Sequence, residues 1–433
     1  MKKKITIVIE VFNREITSVI LLKKELEKRG YDVTIKRKSE DLSFSECDIL
    51  VVPNGYKTSS YIDYRYRFNC KSGKIVNLQW EQLHTRYEEE HNLWLADGKA
   101  KDLIFLCWGD SRVEQLKNVG VEKKKIFKVG PIHTDTMRNS FQNMWQSRDE
   151  IAKKYDLDNK KRWILFISSM TYAPDNTPYI SVQKELSDYM DFDERHILEK
   201  KTQKELVKWY DNFLKENEDY VVIYRPHPTE MKSNLLSDII NGNNERFRVI
   251  NELDLKQWIK VSDVLVLWYT TSAIECRMTG KKCIIVRPYD IKYEEELIMY
   301  DGADMAKSYE QFADKVASDV YSFPIKPEMI DCYYDIQDTP SYIRIADVIE
   351  KADIDDYYYK TENGFQFNRF KHLIRKHILI KVLLKSIYCF LFSRFKFRIR
   401  NAKLRNRYFI DSWEKSIVER KKTEELDKQI VIE

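Results

Sequence analysis

A strand-like apolar run ends in an arginine and a histidine that each precede a proline, in the stretch VVIYRPHPTE at residues 221–230. Each proline restricts its own backbone and keeps the residue before it extended. The segment therefore leaves its strand as a stiff rod that presents Arg225 and His227 at the carboxyl end of the strand. Ligands of open α/β sheets bind at that edge, so both side chains are candidate phosphate ligands. A rigid loop that carries a surface histidine is the alternative interpretation.

A second polar cluster follows another apolar run, in SDVLVLWYTTSAIEC at residues 262–276. Thr271 and Ser272 stand where the strand pattern changes to a helical one, and Glu275 follows one turn later. The free N–H groups and the positive dipole end of a helix attract anions at such a position. With a nucleotide diphosphate bound there, Glu275 is placed to reach the ribose diol. Hydroxyls at a helix start also serve as ordinary N-caps, and that alternative stays open.

Buried-strand patterns alternate with helical patterns along most of the chain. One series runs from KITIVIEV at 4–11 to KIFKVGPI at 125–132, and a second runs from RWILFISSM at 162–170 to KKCIIVRPYD at 281–290. Such alternation predicts an α/β protein with parallel sheets that helices cover on both faces. The expected parts are an N-terminal domain at 1–145, a second domain at 155–345 and a basic helical tail at 363–433.

Two Rossmann-like halves of similar size without a GxGxxG motif are typical of the GT-B architecture, in which two domains face a cleft. The RPHP run and the YTTSAIE cluster resemble those of bacterial surface-carbohydrate enzymes with this fold. These enzymes are capsule polysaccharide transferases, polysialyltransferases with a His-Pro motif, and CDP-glycerol glycerophosphotransferases of teichoic acid synthesis. The resemblance covers residues 4–345. It implies that His227, Thr271 and Ser272 bind the donor's phosphates. The N-terminal half is similar to a related group of surface carbohydrate biosynthesis proteins, in which the first strand leads into an Arg-Glu pair and a long helix. Arg14-Glu15 occupies that place here, and we expect Arg14 on the acceptor side.

The same resemblance implies that the first domain supplies the base that activates the acceptor. Polysialyltransferase-like relatives have an acidic pair followed by glycine there, whereas this sequence has NLQWEQ at 77–82. Glu81 is the candidate base, because partial desolvation beside Trp80 would raise its pKa. A glutamate that only caps the next helix is the alternative. Weaker candidates in other loops of this domain are Asp110, Asp135 and the cleft-facing His133.

Metal chemistry has little support in the sequence. The seven cysteines are scattered singly without a CxxC pair, which argues against a structural zinc site and favours a reducing compartment. Asp353-Ile354-Asp355 is formally a DxD metal motif, but it lies in a Tyr/Asp-rich connector beyond the second domain. We expect no metal and no cofactor. Protein groups would then neutralise the phosphates of a cytidine- or uridine-linked donor.

The last part of the chain differs in charge from the rest. The net charge is +5, yet residues 363–410 contain thirteen Lys/Arg and no Asp/Glu. Apolar residues recur between the cations at helical spacing, which is typical of an interfacial helix on an anionic bilayer. The alternatives are a helical hairpin packed on the body and a nucleic-acid surface, for which no recognised motif is present. We expect residues 365–407 to bind an anionic membrane, at the inner face of the cell membrane, and no nucleic acid to bind.

These features favour a transferase that moves a glycosyl or polyol-phosphate unit from a nucleotide-activated donor to a surface polysaccharide or lipid-linked acceptor. Non-hydrolysing UDP-sugar 2-epimerases are the second possibility, since they share the fold and a His-Pro step. They usually have a Ser-Gly-Gly run near the second cluster, which TTSAIE lacks. A non-catalytic GT-B scaffold at the membrane is the third possibility.

Overall fold

The protein is represented by a computed structural model that describes residues 2–38, 42–175, 190–227, 230–242, 244–354, 368–395, 398–399 and 410–432. The chain forms two compact units. The first unit comprises Met1–Gln82, Trp94–Thr136 and Tyr334–Glu433, and the second comprises Leu83–Leu93 and Met137–Tyr333. This division differs from the expected boundaries, since the chain enters each unit more than once.

The first unit is built on a parallel sheet. Its strands are β1 (Lys4–Ile9), β2 (Asp32–Arg37), β3 (Ile49–Val52), β4 (Ile75–Asn77), β5 (Ile104–Cys107) and β6 (Ile126–Lys128). They lie in the order β2-β1-β3-β4-β5-β6, and all the pairs are parallel. The strands β3, β4 and β5 are buried throughout, as expected for central strands that helices cover on both faces.

The second unit repeats this architecture. Its strands are β7 (Arg162–Ile167), β8 (Tyr220–Arg225), β9 (Phe247–Val249), β10 (Val264–Leu267), β11 (Lys282–Val286) and β12 (Met305–Ala306). The order is β12-β11-β10-β7-β8-β9, again with parallel pairs. The core between this sheet and its helices is rich in aromatic side chains such as Phe166, Tyr210 and Phe312. The strand β7 thus separates β8 from β10, the two strands that precede the polar clusters.

Helices connect and cover the strands. In chain order they are α1 (Phe12–Lys28), α2 (Thr58–Arg67), α3 (Arg86–Glu90), α4 (Asp110–Asn118), α5 (Arg148–Tyr155), α6 (Phe192–Glu216), α7 (Asn234–Gly242), α8 (Leu255–Val261), α9 (Ala273–Met278), α10 (Tyr309–Ala317), α11 (Pro327–Tyr333), α12 (Ser341–Ile354), α13 (Arg369–Arg375), α14 (Ile378–Phe395) and α15 (Ile410–Gln429). Local signals in the sequence set several of the ends. Gly30, at φ +95°, follows α1, and Ser147 begins α5 with a capping box to Glu150.

The C-terminal helices belong to the first unit. Arg29 at the end of α1 pairs with Asp347 of α12 at 2.7 Å, and Lys23 of α1 pairs with Asp427 of α15 at 2.9 Å. In α13, the Arg369 Nε donates to the carbonyl of Tyr66 at 2.6 Å. Part of the basic tail is therefore packed against the body, as one of the alternatives expected.

The same tail has an exposed apolar face. On α14, Ile378 and Tyr388 are buried, while one side of the helix carries a stripe of exposed large apolar residues. The stripe comprises Ile380 (59% exposed), Leu383 (61%), Leu384 (41%), Ile387 (50%) and Phe390 (63%). Among the described residues, no helix is long and apolar enough to cross a membrane. Within the expected membrane segment at 365–407, residues 365–367, 396–397 and 400–407 lie outside the described part of the chain.

Candidate active site

The two polar clusters lie at the same edge of the second sheet. In the strand register, Ile167 at the end of β7 aligns with Arg225 on one side and with Leu267 on the other. Adjacent strands lie about 4.8 Å apart, so the backbones at the ends of β8 and β10 are about 10 Å apart. The Ser168-Ser169 loop lies between them. The Ser168 N–H donates to the carbonyl of Arg225 at 3.0 Å, and the Ser169 hydroxyl donates to the carbonyl of Tyr269.

The guanidinium of Arg225 holds a neighbouring backbone segment. Its Nη1 donates to the carbonyl of Glu252 at 2.6 Å, and its Nη2 donates to the carbonyl of Leu253 at 2.6 Å. Leu253 has φ +63°, a conformation that costs free energy for a residue with a side chain. Desolvation lowers the pKa of Arg225 to about 10. In the structure, Arg225 supports a strained loop at the sheet edge, and the expected phosphate contact stays a prediction.

His227 is exposed, in the extended segment after β8. Desolvation by its surroundings lowers the pKa of its imidazole, which favours the neutral ring near neutral pH. Its backbone is tied to Glu230 in both directions. The His227 N–H donates to Glu230 Oε2 at 3.1 Å, and the Glu230 N–H donates to the carbonyl of His227 at 2.9 Å. Pro228 and Thr229 lie outside the described residues.

The second cluster forms the start of α9. The Thr271 side chain is exposed, and the Ser272 side chain is partly exposed. Ser272 occupies the N-cap position without a capping side-chain bond, and its N–H donates to the hydroxyl of Thr270 at 3.2 Å. Within the described part of the chain, neither the Thr271 nor the Ser272 hydroxyl makes a hydrogen bond. Ordinary capping thus does not account for these two hydroxyls, which remain predicted phosphate ligands.

Glu275 lies one turn into α9 and is buried. Desolvation raises the pKa of its carboxyl to about 7, and the nearby positive charge of Lys256 opposes that shift. Lys256 is itself buried, at the start of α8, and Asp254 caps that helix. A carboxyl group that titrates near neutral pH at a sheet edge is consistent with a functional role. The predicted contact with a ribose diol is not tested by these observations.

A buried ion-pair network underlies the second cluster, and the sequence reasoning missed it. Arg195 pairs with Glu199 at 2.8 Å, and its guanidinium lies 4.6 Å from the ring centre of Tyr269. Arg287, directly after β11, pairs with Glu296 at 2.9 Å and lies 5.6 Å from the ring centre of Trp268. These contacts hold the chain that leads into Thr270, Thr271 and Ser272. Arg287-Pro288 repeats the Arg-Pro step of Arg225-Pro226, and this was the available sequence signal.

At the first sheet, Glu81 does not lie in the desolvated environment that we expected. Trp80 is buried, but the Glu81 side chain is 64% exposed and pairs with Arg14 at 2.6 Å. The expected desolvation is therefore wrong for Glu81, whose side chain is exposed although it directly follows the buried Trp80. The helix-cap alternative is also wrong, since the next helix is capped by Thr85. Glu81 stays a candidate base by its position after β4.

Arg14 is shared between two carboxylates. Its Nη2 lies 2.9 Å from Glu15 Oε1, and its Nη1 binds Glu81. Glu15 is buried and accepts hydrogen bonds from the backbone N–H groups of Glu10 (2.7 Å) and Val11 (3.0 Å) at the start of α1. Burial raises the pKa of Glu15. The Arg-Glu pair after the first strand thus closes the helix start and holds Glu81 in place.

The weaker first-domain candidates have other contacts. Asp135 is fully buried, and its carboxylate accepts from the N–H groups of Ser341 (2.9 Å) and Tyr342 (2.8 Å), which makes it a cap for α12. Asp110 begins α4 and pairs with Lys128 at 2.9 Å. His133 is nearly buried, with its ring centre 4.6 Å from that of Trp108. A structural role fits Asp135 best.

No cluster of three or more His, Cys, Asp or Glu suited to a metal ion is found among the described residues. Asp355 and the side chain of Asp353 lie outside the described part of the chain. The expected independence from metal therefore stays a prediction.

Comparison with solved structures identifies the fold. A structure of the wall teichoic acid polymerase TagF matches with a TM-score of 0.50 and 12% identity over 82% of this chain and 90% of that one. A TagF variant soaked with CDPG matches at 0.53 and 13%, with the same coverage. The UDP-GlcNAc 2-epimerase of Methanocaldococcus jannaschii in complex with UDP-GlcNAc and UDP matches at 0.51 and 14%, over 80% and 99%. No protein-family model and no curated protein matches the sequence.

These matches and the two six-stranded sheets define a GT-B fold, as the sequence predicted. At 12–14% identity the likeness extends to the fold alone. These structures are those of a polymerase and an epimerase, and this chain is similar in architecture to both.

Proposed function

We propose that the protein is a transferase that moves a glycosyl or polyol-phosphate unit from a nucleotide-activated donor to a surface polysaccharide acceptor. The observation that supports the proposal is the placement of His227, Thr271 and Ser272 at the same edge of the second sheet. An exposed threonine, a partly exposed serine, a helix start and an imidazole are groups that bind a diphosphate. TagF, which has this fold, is a polymerase of wall teichoic acid.

The chemistry divides between the two units. In the first unit, Glu81 takes the proton of an acceptor hydroxyl, and Arg14 and His133 contribute to the acceptor side. The acceptor oxygen then bonds to the anomeric carbon or to the phosphorus of the transferred unit. The bond from that atom to the nucleotide's phosphate oxygen breaks, and the electron pair leaves with the nucleotide. His227 and the N–H groups at the start of α9 stabilise that charge.

The direct test is a binding screen followed by a product assay. Calorimetry with CMP, CDP, UDP and GDP should show binding of a cytidine or uridine nucleotide in excess chelator. Incubation of the matching activated donor with acceptor fragments should then release the nucleotide and extend the acceptor. Conversion of a UDP-sugar to its epimer without an acceptor would instead identify an isomerase, and binding without turnover would identify a scaffold. Turnover that chelation abolishes and magnesium restores would contradict the metal-free mechanism.

We also propose that the exposed face of α14 binds an anionic membrane and places the enzyme near a lipid-linked acceptor, at the inner face of the cell membrane. The apolar stripe at Ile380, Leu383 and Ile387 has the spacing of one helix face. The surrounding segment carries cations without acidic residues, which suits an anionic bilayer. The opposite side of α14 is packed, so the helix is already held with this face outward.

The membrane proposal predicts that a double variant, Leu383→Ser with Ile387→Ser, binds phosphatidylglycerol vesicles at least tenfold more weakly than the wild type. Burial of each such side chain contributes roughly 1.5–3 kcal/mol when complete, so partial burial of two accounts for that factor. Vesicle co-sedimentation at several salt concentrations measures it. Truncation after residue 355 is a poorer test, because α15 packs against α1.

Ile197→Ser is the matched control, since Ile197 is 62% exposed on α6 in the other unit. It should bind vesicles like the wild type. Binding that is equal on anionic and neutral vesicles, or that the double variant retains in full, would contradict the proposal.

A further inference from the structure

Glu230 lies at the centre of a buried hydrogen-bond network behind the RPHP segment. It is fully buried. Its Oε1 accepts from the Ser168 hydroxyl at 2.8 Å, from Gln203 Nε2 at 2.8 Å and from the Tyr224 hydroxyl. Its Oε2 accepts from the backbone N–H of His227 at 3.1 Å. Four donors, from the loop after β7, from β8, from α6 and from the RPHP segment itself, therefore converge on a single carboxylate.

Burial of the Glu230 carboxylate in this position costs free energy. Among the described residues, no lysine or arginine lies within ion-pair distance of it, so only neutral donors compensate its burial. Desolvation raises the pKa of Glu230 to about 7, although all four hydrogen bonds oppose the shift. An apolar side chain of similar size would avoid this cost. An apolar side chain, however, could not accept the hydrogen bond from the N–H of His227.

The network sets the backbone on both sides of the imidazole. Arg225, two residues before His227, is tied to Ser168 through its carbonyl, and Ser168 in turn donates to Glu230. Three residues after His227, the Glu230 N–H donates back to the His227 carbonyl at 2.9 Å. The prolines alone restrict φ, but they do not select the direction in which the chain leaves the sheet. The carboxylate supplies that missing constraint.

We propose that Glu230 is a positioning residue, which fixes the backbone of His227 so that the imidazole is aimed at the phosphate of the bound donor. This inference rests on the proposed function for the identity of the ligand, but not for the geometry. Glu230 touches neither donor nor acceptor, and it acts only through His227. Its loss should therefore be visible as a looser His227 backbone before any ligand is added.

The test compares Glu230→Gln with Tyr224→Phe. In Glu230→Gln the new NH₂ group must face one of two existing donors, either the His227 N–H or the Gln203 side chain, so one hydrogen bond is lost. Nucleotide binding should weaken roughly tenfold, the effect of one lost hydrogen bond to a charged group. Tyr224→Phe removes one donor to Oε1 and leaves the His227 bond intact, so its dissociation constant should stay within about twofold of the wild type. Glu230→Asp, which withdraws the carboxylate by one methylene, is the second variant should the glutamine variant fail to fold.

Two readouts separate positioning from general destabilisation. Hydrogen exchange at the His227 amide should be faster in Glu230→Gln and unchanged in Tyr224→Phe, without nucleotide. In a double-mutant cycle, Glu230→Gln should add nothing to the loss caused by His227→Ala. Full additivity, or wild-type exchange at His227 in both Glu230 variants, would overturn the inference. If the wild type binds none of the nucleotides, the proposed function fails, while the exchange experiment still decides the role of Glu230.

Discussion

Replacement of Glu81 by glutamine should lower turnover by about 100-fold or more, while the donor nucleotide binds as in the wild type. General-base catalysis contributes about 10²–10⁴-fold, and an amide cannot accept the proton. The glutamine retains a hydrogen bond to Arg14, so the shape of the sheet edge should persist. Steady-state transfer rates and calorimetry on the same preparation measure the two quantities separately.

The matched control for this variant is Glu114→Gln. Glu114 is 62% exposed and pairs with Lys117 at 2.6 Å, which closely repeats the exposure and pairing of Glu81. It lies on the surface of α4, and its substitution should leave the rate unchanged. A fully active Glu81→Gln would place the base elsewhere, and Asp110→Asn and His133→Gln would then be measured. A variant with weakened donor binding would show that Glu81 serves the donor.

The sequence predicted that the two polar clusters lie at one edge of the second sheet, because that placement follows from topology. Parallel strands in a β-α-β alternation carry their loops at a common edge. The residues after β8 and β10 were therefore expected at one edge of the sheet, and they come within about 10 Å of one another because only β7 lies between the two strands. The strands themselves were readable as apolar runs, such as Val264–Leu267, because they are buried on both faces.

The side-chain partners were not predictable in the same way. Arg225 was expected to face phosphate, yet its donors reach carbonyls 27 and 28 residues later in the sequence, and no local pattern encodes that choice. Glu230 reads as an ordinary loop glutamate, since two of its donors, Ser168 and Gln203, lie 62 and 27 residues away in the sequence. Glu81 was expected to be desolvated beside Trp80, but consecutive side chains point in different directions. Long-range contacts of this kind depend on packing, which a single sequence does not display.

A second variant set should separate the two roles that Arg225 and His227 can have. If His227 donates to phosphate, His227→Ala should weaken binding of the cognate nucleoside diphosphate about tenfold to hundredfold, because a hydrogen bond to a charged group is worth about 1.5–3 kcal/mol. Binding of the nucleoside itself should be unchanged. Thr271→Val and Ser272→Ala should act in the same direction and less strongly, because the backbone N–H groups remain.

Arg225→Gln should behave differently if the guanidinium acts through the strained loop at Leu253. Without the two 2.6 Å hydrogen bonds of Arg225, residues 250–253 lose their support. Binding of the nucleoside and binding of the diphosphate should then weaken by the same factor. If Arg225 instead bound the phosphate directly, the substitution would weaken binding of the diphosphate alone. Arg246→Gln is the control, since Arg246 also donates to a carbonyl, that of Asn217 at 3.0 Å, but precedes β9, at the opposite edge of the sheet. Calorimetry with both ligands decides, and a His227→Ala variant that binds the diphosphate like the wild type would show that the RPHP prolines only shape a loop.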